Sequence, residues 1–226
     1  MIQKVQLQSL KQSLTGELFF DDLHKNIYAT DASVYRKIPL AVAYPKDKKD
    51  IQQLIEFATK NNITLIPRTA GTSLAGQCVG DGIVVDVSKH FTNVLAFDEA
   101  SKTITVEPGI IRDDLNRFLQ PYGLFFGPNT STSNRCMIGG MVGNNSSGST
   151  SIRYGVTRDK VLSIEGLLSD GSEVVFSEIT SDEFRKKAFE KNLEGEIYKS
   201  LLFELSSAEN QQEIKNEFPK ESIHRR

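Results

Sequence analysis

The chain has 226 residues, of which 38% are hydrophobic, 25% charged and 8% aromatic, and its formal net charge is −2. This composition is typical of a folded globular protein and excludes a disordered or collagen-like chain, and the apolar runs fall far short of the roughly 18 residues that a membrane-spanning helix needs. The near-neutral charge provides no attraction for nucleic acid over the whole chain, so a bound polyanion must be held locally.

The first half of the chain predicts two strands joined by a helix. Residues 1–37 are polar with scattered apolar positions, which predicts a helix followed by loops. An apolar run at 38–45 predicts a buried strand that ends at a proline. Apolar residues then recur at helical spacing after Asp47, a predicted N-cap, and residues 63–67 predict a second strand. The strand–helix–strand order indicates that the two strands are parallel.

Later segments predict a third buried strand and two hairpins. A glycine-rich loop at 71–82 precedes an apolar run at 83–88, which predicts a strand buried on both faces. Residues 94–97 and 103–107 flank a polar turn, as in a hairpin, and a second hairpin is predicted around Asp170-Gly171. A helix is expected between the two hairpins, at residues 111–119.

These elements predict an α+β fold with two subdomains. The first is a small parallel α/β layer at residues 38–88, and the second is a mainly antiparallel sheet with flanking helices at residues 89–180. Residues 1–37 form a helical and loop segment before them. Residues 181–226 are charged and helix-favouring, and no capping or turn signal explains the stop at Arg226. We therefore expect the chain to be part of a longer protein.

The cysteines and the N-terminus indicate a reducing compartment. Cys78 and Cys136 lie far apart and form no Cys-x-x-Cys pair, so neither a zinc site nor a disulfide framework is indicated. The N-terminus has no apolar stretch of signal-peptide length. We expect free thiols and a cytoplasmic protein.

Residues 67–78, which we name the glycine loop, are the first candidate for a binding site. The loop follows a predicted strand, and its glycines allow several backbone N–H groups to point into one concavity, as in a phosphate cradle. Gly71 and Gly76 have the spacing of a Walker loop, but Gln77-Cys78 replaces the Lys-Ser/Thr pair. The G-x-G-x-x-G pattern is absent, and G-x-S-x-G fails at Ala75. An exposed turn between strands is the alternative.

Residues 128–148, which we name the donor segment, are the second candidate. They combine hydroxyl and amide side chains with the adjacent glycines Gly139 and Gly140, which allow close approach to a flat ring or a phosphate. An Asn- and Ser-rich surface loop is the alternative. Two neutral, donor-rich segments in one small domain nevertheless favour a single large polar ligand, and a dinucleotide fits.

Such a ligand would need apolar walls for its ring and donors for its pyrophosphate. Ile138, Met141 and Val142 are the candidate walls. Arg68 and Arg135 are the only cations of the two segments, and either could pair with the pyrophosphate or serve in a structural ion pair.

Several motifs in order resemble one flavoprotein family. They are Tyr28-Ala-Thr-Asp-Ala-Ser-Val-Tyr-Arg36, the glycine loop up to Gln77, the donor segment, the stretch from Arg153 to Leu162 and the Asp170-Gly171 hairpin. Together they resemble the PCMH-type FAD-binding domain of the vanillyl-alcohol oxidase superfamily. Within it they are most similar to the D-2-hydroxyacid dehydrogenase branch, which includes glycolate oxidase, D-lactate dehydrogenase and D-2-hydroxyglutarate dehydrogenase. The first and third motifs look most like large members fused to a C-terminal iron–sulfur domain.

The resemblance implies a two-subdomain FAD-binding fold with these cofactor-binding residues: Pro67, Arg68, Thr69, Ala70, Gly71, Thr72, Ser73, Leu74 and Gly76, with Pro128, Asn129, Ser131, Thr132, Ser133, Asn134, Ile138, Gly139, Gly140, Gly143, Asn144, Asn145, Ser146, Ser147 and Gly148. Covalent members use a histidine near the first loop, and this loop has none, so the implied FAD is non-covalent.

The implied reaction is oxidation of a small 2-hydroxy acid, with electrons passed to an iron–sulfur or quinone-linked acceptor. The family's substrate pocket, catalytic base, metal ligands and iron–sulfur cysteines would lie beyond Arg226, so no catalytic or metal-ligating residue is expected in this chain. His24, His90 and His224 are expected to have surface or structural roles. The resemblance implies no nucleic-acid partner and no membrane span, and it allows peripheral membrane association.

Two other functions stay open at this point. One is an FAD-dependent reductase of the UDP-N-acetylenolpyruvoylglucosamine reductase type. The other is a non-catalytic nucleotide-binding module, which the lack of acid–base residues suggests.

Overall fold

A computed structural model describes residues 4–218 of the chain. The strands are β1 (Glu17–Phe19), β2 (Ala41–Tyr44), β3 (Leu65–Arg68), β4 (Ile83–Asp86), β5 (Val94–Asp98), β6 (Thr103–Val106), β7 (Ser163–Leu167) and β8 (Glu173–Ser177). The helices are α1 (Lys4–Ser13), α2 (Asp22–Ile27), α3 (Lys48–Asn61), α4 (Arg112–Leu119), α5 (Ile138–Gly143), α6 (Ser151–Tyr154), α7 (Ser181–Lys187), α8 (Leu193–Ser206) and α9 (Ala208–Glu217). This mixture of helices and separate sheets confirms the predicted α+β class.

The chain divides into two compact units between Lys160 and Val161. The first unit contains β1 to β6 and α1 to α6, and the second contains the β7–β8 hairpin and the last three helices. The subdomain boundaries predicted at residues 38, 89 and 181 stay predictions.

A four-stranded sheet in the order β1–β2–β4–β3 forms the first layer. Strands β2 and β3 are parallel, as predicted, and each pairs with β4, which lies between them. Every residue of β4 is buried, which confirms the expected burial on both faces. The pairing of Arg68 with Asp86 aligns the carboxyl ends of β3 and β4. The glycine loop therefore leaves the sheet beside the end of the inner strand β4.

Strand β1 is absent from the sequence prediction, which placed only a helix and loops before residue 38. It has three residues and pairs antiparallel with β2 at the sheet edge. Its middle residue, Leu18, is fully buried. A three-residue strand carries no periodic signal, so pairing with β2 decides its conformation.

Helix α3 begins and ends as its sequence predicts. The side chain of Asp47 accepts a hydrogen bond from the Asp50 N–H at 2.9 Å, and Asn62 adopts a left-handed conformation that ends the helix. Leu54 on this helix packs into a core with Leu7 and Leu10 of α1 and with the sheet.

Asp50 ties the start of α3 to the preceding chain. Its carboxylate is 1% exposed and accepts hydrogen bonds from the backbone N–H groups of Thr15, Gly16 and Lys46 at 2.8–2.9 Å. Burial acts to raise the pKa of Asp50, but hydrogen bonds from the backbone of Lys46, Thr15 and Gly16 outweigh it and lower the pKa below its ordinary value.

The antiparallel part consists of two hairpins. Strands β5 and β6 pair antiparallel, as do β7 and β8, which confirms both predicted hairpins. Within residues 4–218 they are two separate two-stranded sheets rather than one larger sheet. The β5–β6 hairpin packs with α4 around Ile110, Leu115 and Leu119.

The second unit is stabilised locally by helix caps. Thr180 and Glu183 form a capping box at the start of α7, and Asn192 caps α8. Among the helices that the structure describes, none is long and apolar enough to cross a membrane.

Candidate functional site

The glycine loop presents a row of free backbone donors. The backbone N–H groups of residues 69–74 donate no hydrogen bond to a protein acceptor within residues 4–218. The side chains of this run are half-buried except that of Leu74, which is 81% exposed. Six consecutive amides without protein partners can hold an anion without a lysine.

Arg68 supports the loop from its base. Its Nη1 donates to the carbonyl of Thr30 at 2.8 Å, and its guanidinium lies 4.9 Å from the centre of the Tyr28 ring. Gly71 has a φ of +66°, and a Cβ there would overlap the guanidinium. Arg68 therefore shapes the turn at Gly71, a structural role that differs from the ion pair that the sequence left open for it.

Tyr28 is held in turn by a buried carboxylate. Its hydroxyl donates to Asp86 Oδ2 at 2.5 Å and accepts from the Tyr44 hydroxyl at 2.8 Å. Asp86 is 3% exposed and also accepts from the Ser88 N–H at 2.7 Å. The pKa of Tyr28 is raised well above its ordinary value. Burial is the larger cause, and the hydrogen bond to Asp86 is the next. The hydroxyl stays protonated, and its donation to a carboxylate makes the ring a better partner for Arg68.

The donor segment is held closed by hydrogen bonds between its two ends. Asn129 Oδ1 accepts from the N–H and the hydroxyl of Thr150 at 3.1 and 2.6 Å. Gly148 lies so close to the Asn129 carbonyl that a Cβ would overlap it. Ser133 donates to Asp113 Oδ2 at 3.0 Å, and Asn145 Oδ1 accepts from a backbone N–H at 3.0 Å. These side chains shape the segment itself, and the predicted contacts of Asn129, Ser133 and Asn145 with the cofactor stay predictions.

Helix α5 brings the donor segment to the glycine loop. The N–H groups of Ile138 and Gly139 donate to the carbonyls of Ile110 and Pro108 at 3.0 and 2.8 Å, which fixes the start of the helix. Gly140 then faces the glycine loop, because a Cβ there would lie 2.7 Å from Thr69 Oγ1. The structure thus places Gly140 beside Thr69, the first residue of the run of free amides.

One predicted ring wall is wrong. Met141 is 1% exposed, and its sulfur lies 3.6 Å from Cys136 Sγ in the protein interior. Ile138 packs partly against the core around Leu115. Val142 is half-buried. The helical period of α5 turns Met141 inward, which the sequence of a six-residue helix does not reveal.

The remaining charged and reactive groups have limited roles here. Arg135, the cation of the donor segment, is exposed to solvent. It donates a hydrogen bond to Asn134 Oδ1 at 3.0 Å. Burial raises the pKa of the Cys78 thiol, which keeps it protonated. His24 stacks on Phe19, and the predicted role of His224 lies outside the described residues.

These residues fit a cofactor with a pyrophosphate and a flat ring. The unpaired amides of residues 69–74 suit the anion, and Gly140 keeps side-chain atoms out of the space next to Thr69. A Cβ at Gly140 would occupy part of that space. Within the described chain, no group of three or more His, Cys, Asp or Glu side chains could hold a metal ion.

Three side chains near the loop were missing from the predicted site. Tyr28 and Asp86 support Arg68, and Gln77 Nε2 donates to Asn144 Oδ1 at 3.1 Å. An acidic residue at the end of a fully apolar strand was a usable signal for Asp86. Gln77 had no comparable signal, because its partner is 67 residues away in the sequence.

Comparisons with known proteins identify the family of the chain. A family model described as "FAD binding domain" matches residues 39–177. D-2-hydroxyglutarate dehydrogenase from Pseudomonas putida is 35% identical over 85% of this chain and 20% of its own length. Glycolate oxidase subunit GlcD from Bacillus subtilis is 35% identical over 70% of this chain and 34% of its own. A structure of alkyldihydroxyacetonephosphate synthase shares the fold, with a TM-score of 0.69 and 19% identity over 80% of this chain and 39% of that one. The chain therefore spans about a fifth of the length of the dehydrogenase it matches.

Proposed function

The chain belongs to the FAD binding domain family, and we propose that it is the cofactor-binding part of a longer enzyme that oxidises a small 2-hydroxy acid. The relatives named D-2-hydroxyglutarate dehydrogenase and glycolate oxidase favour this substrate class. They favour it over a reductase of the UDP-N-acetylenolpyruvoylglucosamine type and over a non-catalytic nucleotide module.

One observation supports the proposed site above all others. The six backbone N–H groups of residues 69–74 have no protein acceptor in the described chain, and Gly140 lies beside Thr69, the first residue of this run. In the proposal the amides bind the FAD pyrophosphate, and the glycine pair admits the flat part of the cofactor. FAD, when bound, supplies the acceptor for two electrons from the hydroxy acid. The chain's own residues bind and orient it.

Further parts of the proposal concern the whole protein. The flavin is held non-covalently, because the glycine loop has no histidine. Electrons pass to an iron–sulfur or quinone-linked acceptor in the rest of the enzyme, and the catalytic base and metal ligands also come from there. A cytoplasmic location with peripheral membrane association completes the proposal, and the two free, buried cysteines agree with a reducing compartment.

The test is the visible spectrum of the purified chain after incubation with FAD and gel filtration. We expect flavin absorbance to co-elute with the protein and to be released by denaturation. Flavin that stays with the denatured chain would contradict non-covalent binding.

A thermal-shift series with FAD, FMN and ATP provides the comparison, since a ligand that binds only the folded state raises its stability. Stabilisation by ATP and not by FAD would overturn the proposal in favour of a nucleotide module.

A further inference from the structure

A chain of side-chain hydrogen bonds links the glycine loop to the donor segment. Ser73 Oγ donates to Gln77 Oε1 at 2.5 Å, Gln77 Nε2 donates to Asn144 Oδ1 at 3.1 Å, and Asn144 Nδ2 donates to Ser146 Oγ at 3.1 Å. Each amide accepts through its carbonyl and donates through its NH2 group, so the three bonds run in one direction. The middle bond joins residues 67 positions apart in the sequence.

Both ends of this chain are anchored to the backbone. Ser73 Oγ accepts from the N–H groups of Ala75 and Gln77 at 3.2 and 3.4 Å. Ser146 is buried, and its carbonyl accepts from the N–H and the hydroxyl of Thr157 at 3.1 and 2.7 Å. The two amide side chains between these anchors are exposed. The middle bond is therefore the part that can open without disturbing the core.

We propose that Gln77 is a positioning residue that clasps the glycine loop to the donor segment and slows the release of bound cofactor. This inference rests on the proposed FAD site. The free amides of residues 69–74 precede Gln77 in the same loop, and Gly139-Gly140 lie on α5, which ends directly before Asn144. The bond between Gln77 and Asn144 consequently fixes the separation of the two groups that hold the cofactor.

The clasp is neutral, and this suits an anionic ligand. An ion pair at the same place would add a carboxylate that repels the pyrophosphate or a cation that competes for it. Two amides close the same distance without either effect. The strength of the clasp should accordingly be insensitive to salt, unlike that of an ion pair.

The test measures FAD dissociation from the wild-type chain and from Gln77→Met, Asn144→Ala and the double variant. Methionine keeps the length of the side chain and removes both hydrogen bonds. We expect dissociation to accelerate about tenfold in Gln77→Met, the effect of losing the one hydrogen bond that joins the two segments, with association changed less than threefold. The double variant should release FAD no faster than the faster single variant, because both changes break the same bond.

Gln8→Ala is the matched control, since Gln8 is an exposed glutamine on α1. Its dissociation rate should equal that of the wild type. An unchanged rate in Gln77→Met, or additive effects in the double variant, would overturn the clasp while leaving the FAD site intact.

Hydrogen exchange in the cofactor-free protein separates the clasp from the proposed function. The N–H groups of residues 144–146 donate to carbonyls of α5, and loss of the clasp should speed their exchange in Gln77→Met but not in Gln8→Ala. Unchanged exchange overturns the clasp whether or not FAD binds. A wild-type chain that retains no FAD and still shows faster exchange in Gln77→Met would overturn the proposed function and keep the clasp.

Discussion

Replacing Tyr28 by phenylalanine tests the support beneath the glycine loop. The variant keeps the aromatic ring that faces Arg68 and removes the hydroxyl that donates to Asp86 at 2.5 Å. Asp86 is 3% exposed and would keep only the bond from the Ser88 N–H. A hydrogen bond to a charged group contributes about 1.5–3 kcal/mol, so we expect a loss of about 2 kcal/mol in the free energy of unfolding.

The assay is urea denaturation followed by circular dichroism. With a urea dependence of about 2 kcal/mol/M, a loss of about 2 kcal/mol lowers the midpoint by about 1 M. Tyr122→Phe is the control, because Tyr122 is 42% exposed and the structure describes no hydrogen bond from its hydroxyl. A loss below about 0.5 kcal/mol in Tyr28→Phe would refute the reasoning, since that is the range of ordinary surface substitutions.

The pH dependence gives a second readout of the same bond. The pKa of Tyr28 is raised in the folded protein, so the stability it contributes is present below the unfolded value of about 10 and is lost as the pH rises above it. The stability difference between wild type and Tyr28→Phe should therefore shrink above pH 10, by up to about 1.4 kcal/mol per pH unit. A difference that stays constant from pH 8 to 11 would show that the hydroxyl ionises equally in both states.

Three further substitutions address the backbone of the fold and the site. Asp50→Ala leaves three backbone N–H groups without their acceptor and should cost at least about 3 kcal/mol at pH 7. Because the pKa of Asp50 is lowered, its contribution is present above about pH 4 and is lost as the pH falls further, so the difference between the urea midpoints of wild type and variant should shrink below about pH 4. Gly71→Ala, at a φ of +66°, should weaken FAD binding at least tenfold, whereas Gly123→Ala, at a φ of +67° with no atom near its added Cβ, carries similar backbone strain of about 1–2 kcal/mol and should leave binding unchanged. Gly139→Ala places a Cβ 2.5 Å from Pro108 Cβ and 3.0 Å from the Pro108 carbonyl oxygen, so the start of α5 must shift, and FAD affinity should fall, in contrast to Gly166→Ala, where the space is open. Equal FAD titrations for a variant and its matched control would contradict the role assigned to that glycine.

The sequence predicted α3, β4 and both hairpins because their signals are local. Asp47 caps α3 as expected, and the apolar run of β4 is buried on both faces. The polar turns between β5 and β6 and between β7 and β8 predicted both hairpins correctly. Each of these signals lies within one turn, one helix period or one strand, so no distant residue is needed to read it.

The order of strands in the sheet required the tertiary structure. The sequence indicates that β2 and β3 are parallel, but β4 lies between them, and the short strand β1 completes the edge. Which strand is central depends on how apolar faces from distant segments are buried together.

The candidate site also has features that the sequence shows and features that only the tertiary structure shows. The sequence by itself determined the two segments, since glycines and neutral donors concentrate there, and motif resemblance identified their family. Only the tertiary structure decided which side chains serve the loop from a distance: Tyr28 and Asp86 beneath Arg68, and Gln77 against Asn144. It also turned Met141 into the core. Hydrogen bonds between side chains far apart in sequence depend on distances that the folded backbone sets, and a linear pattern does not contain those distances.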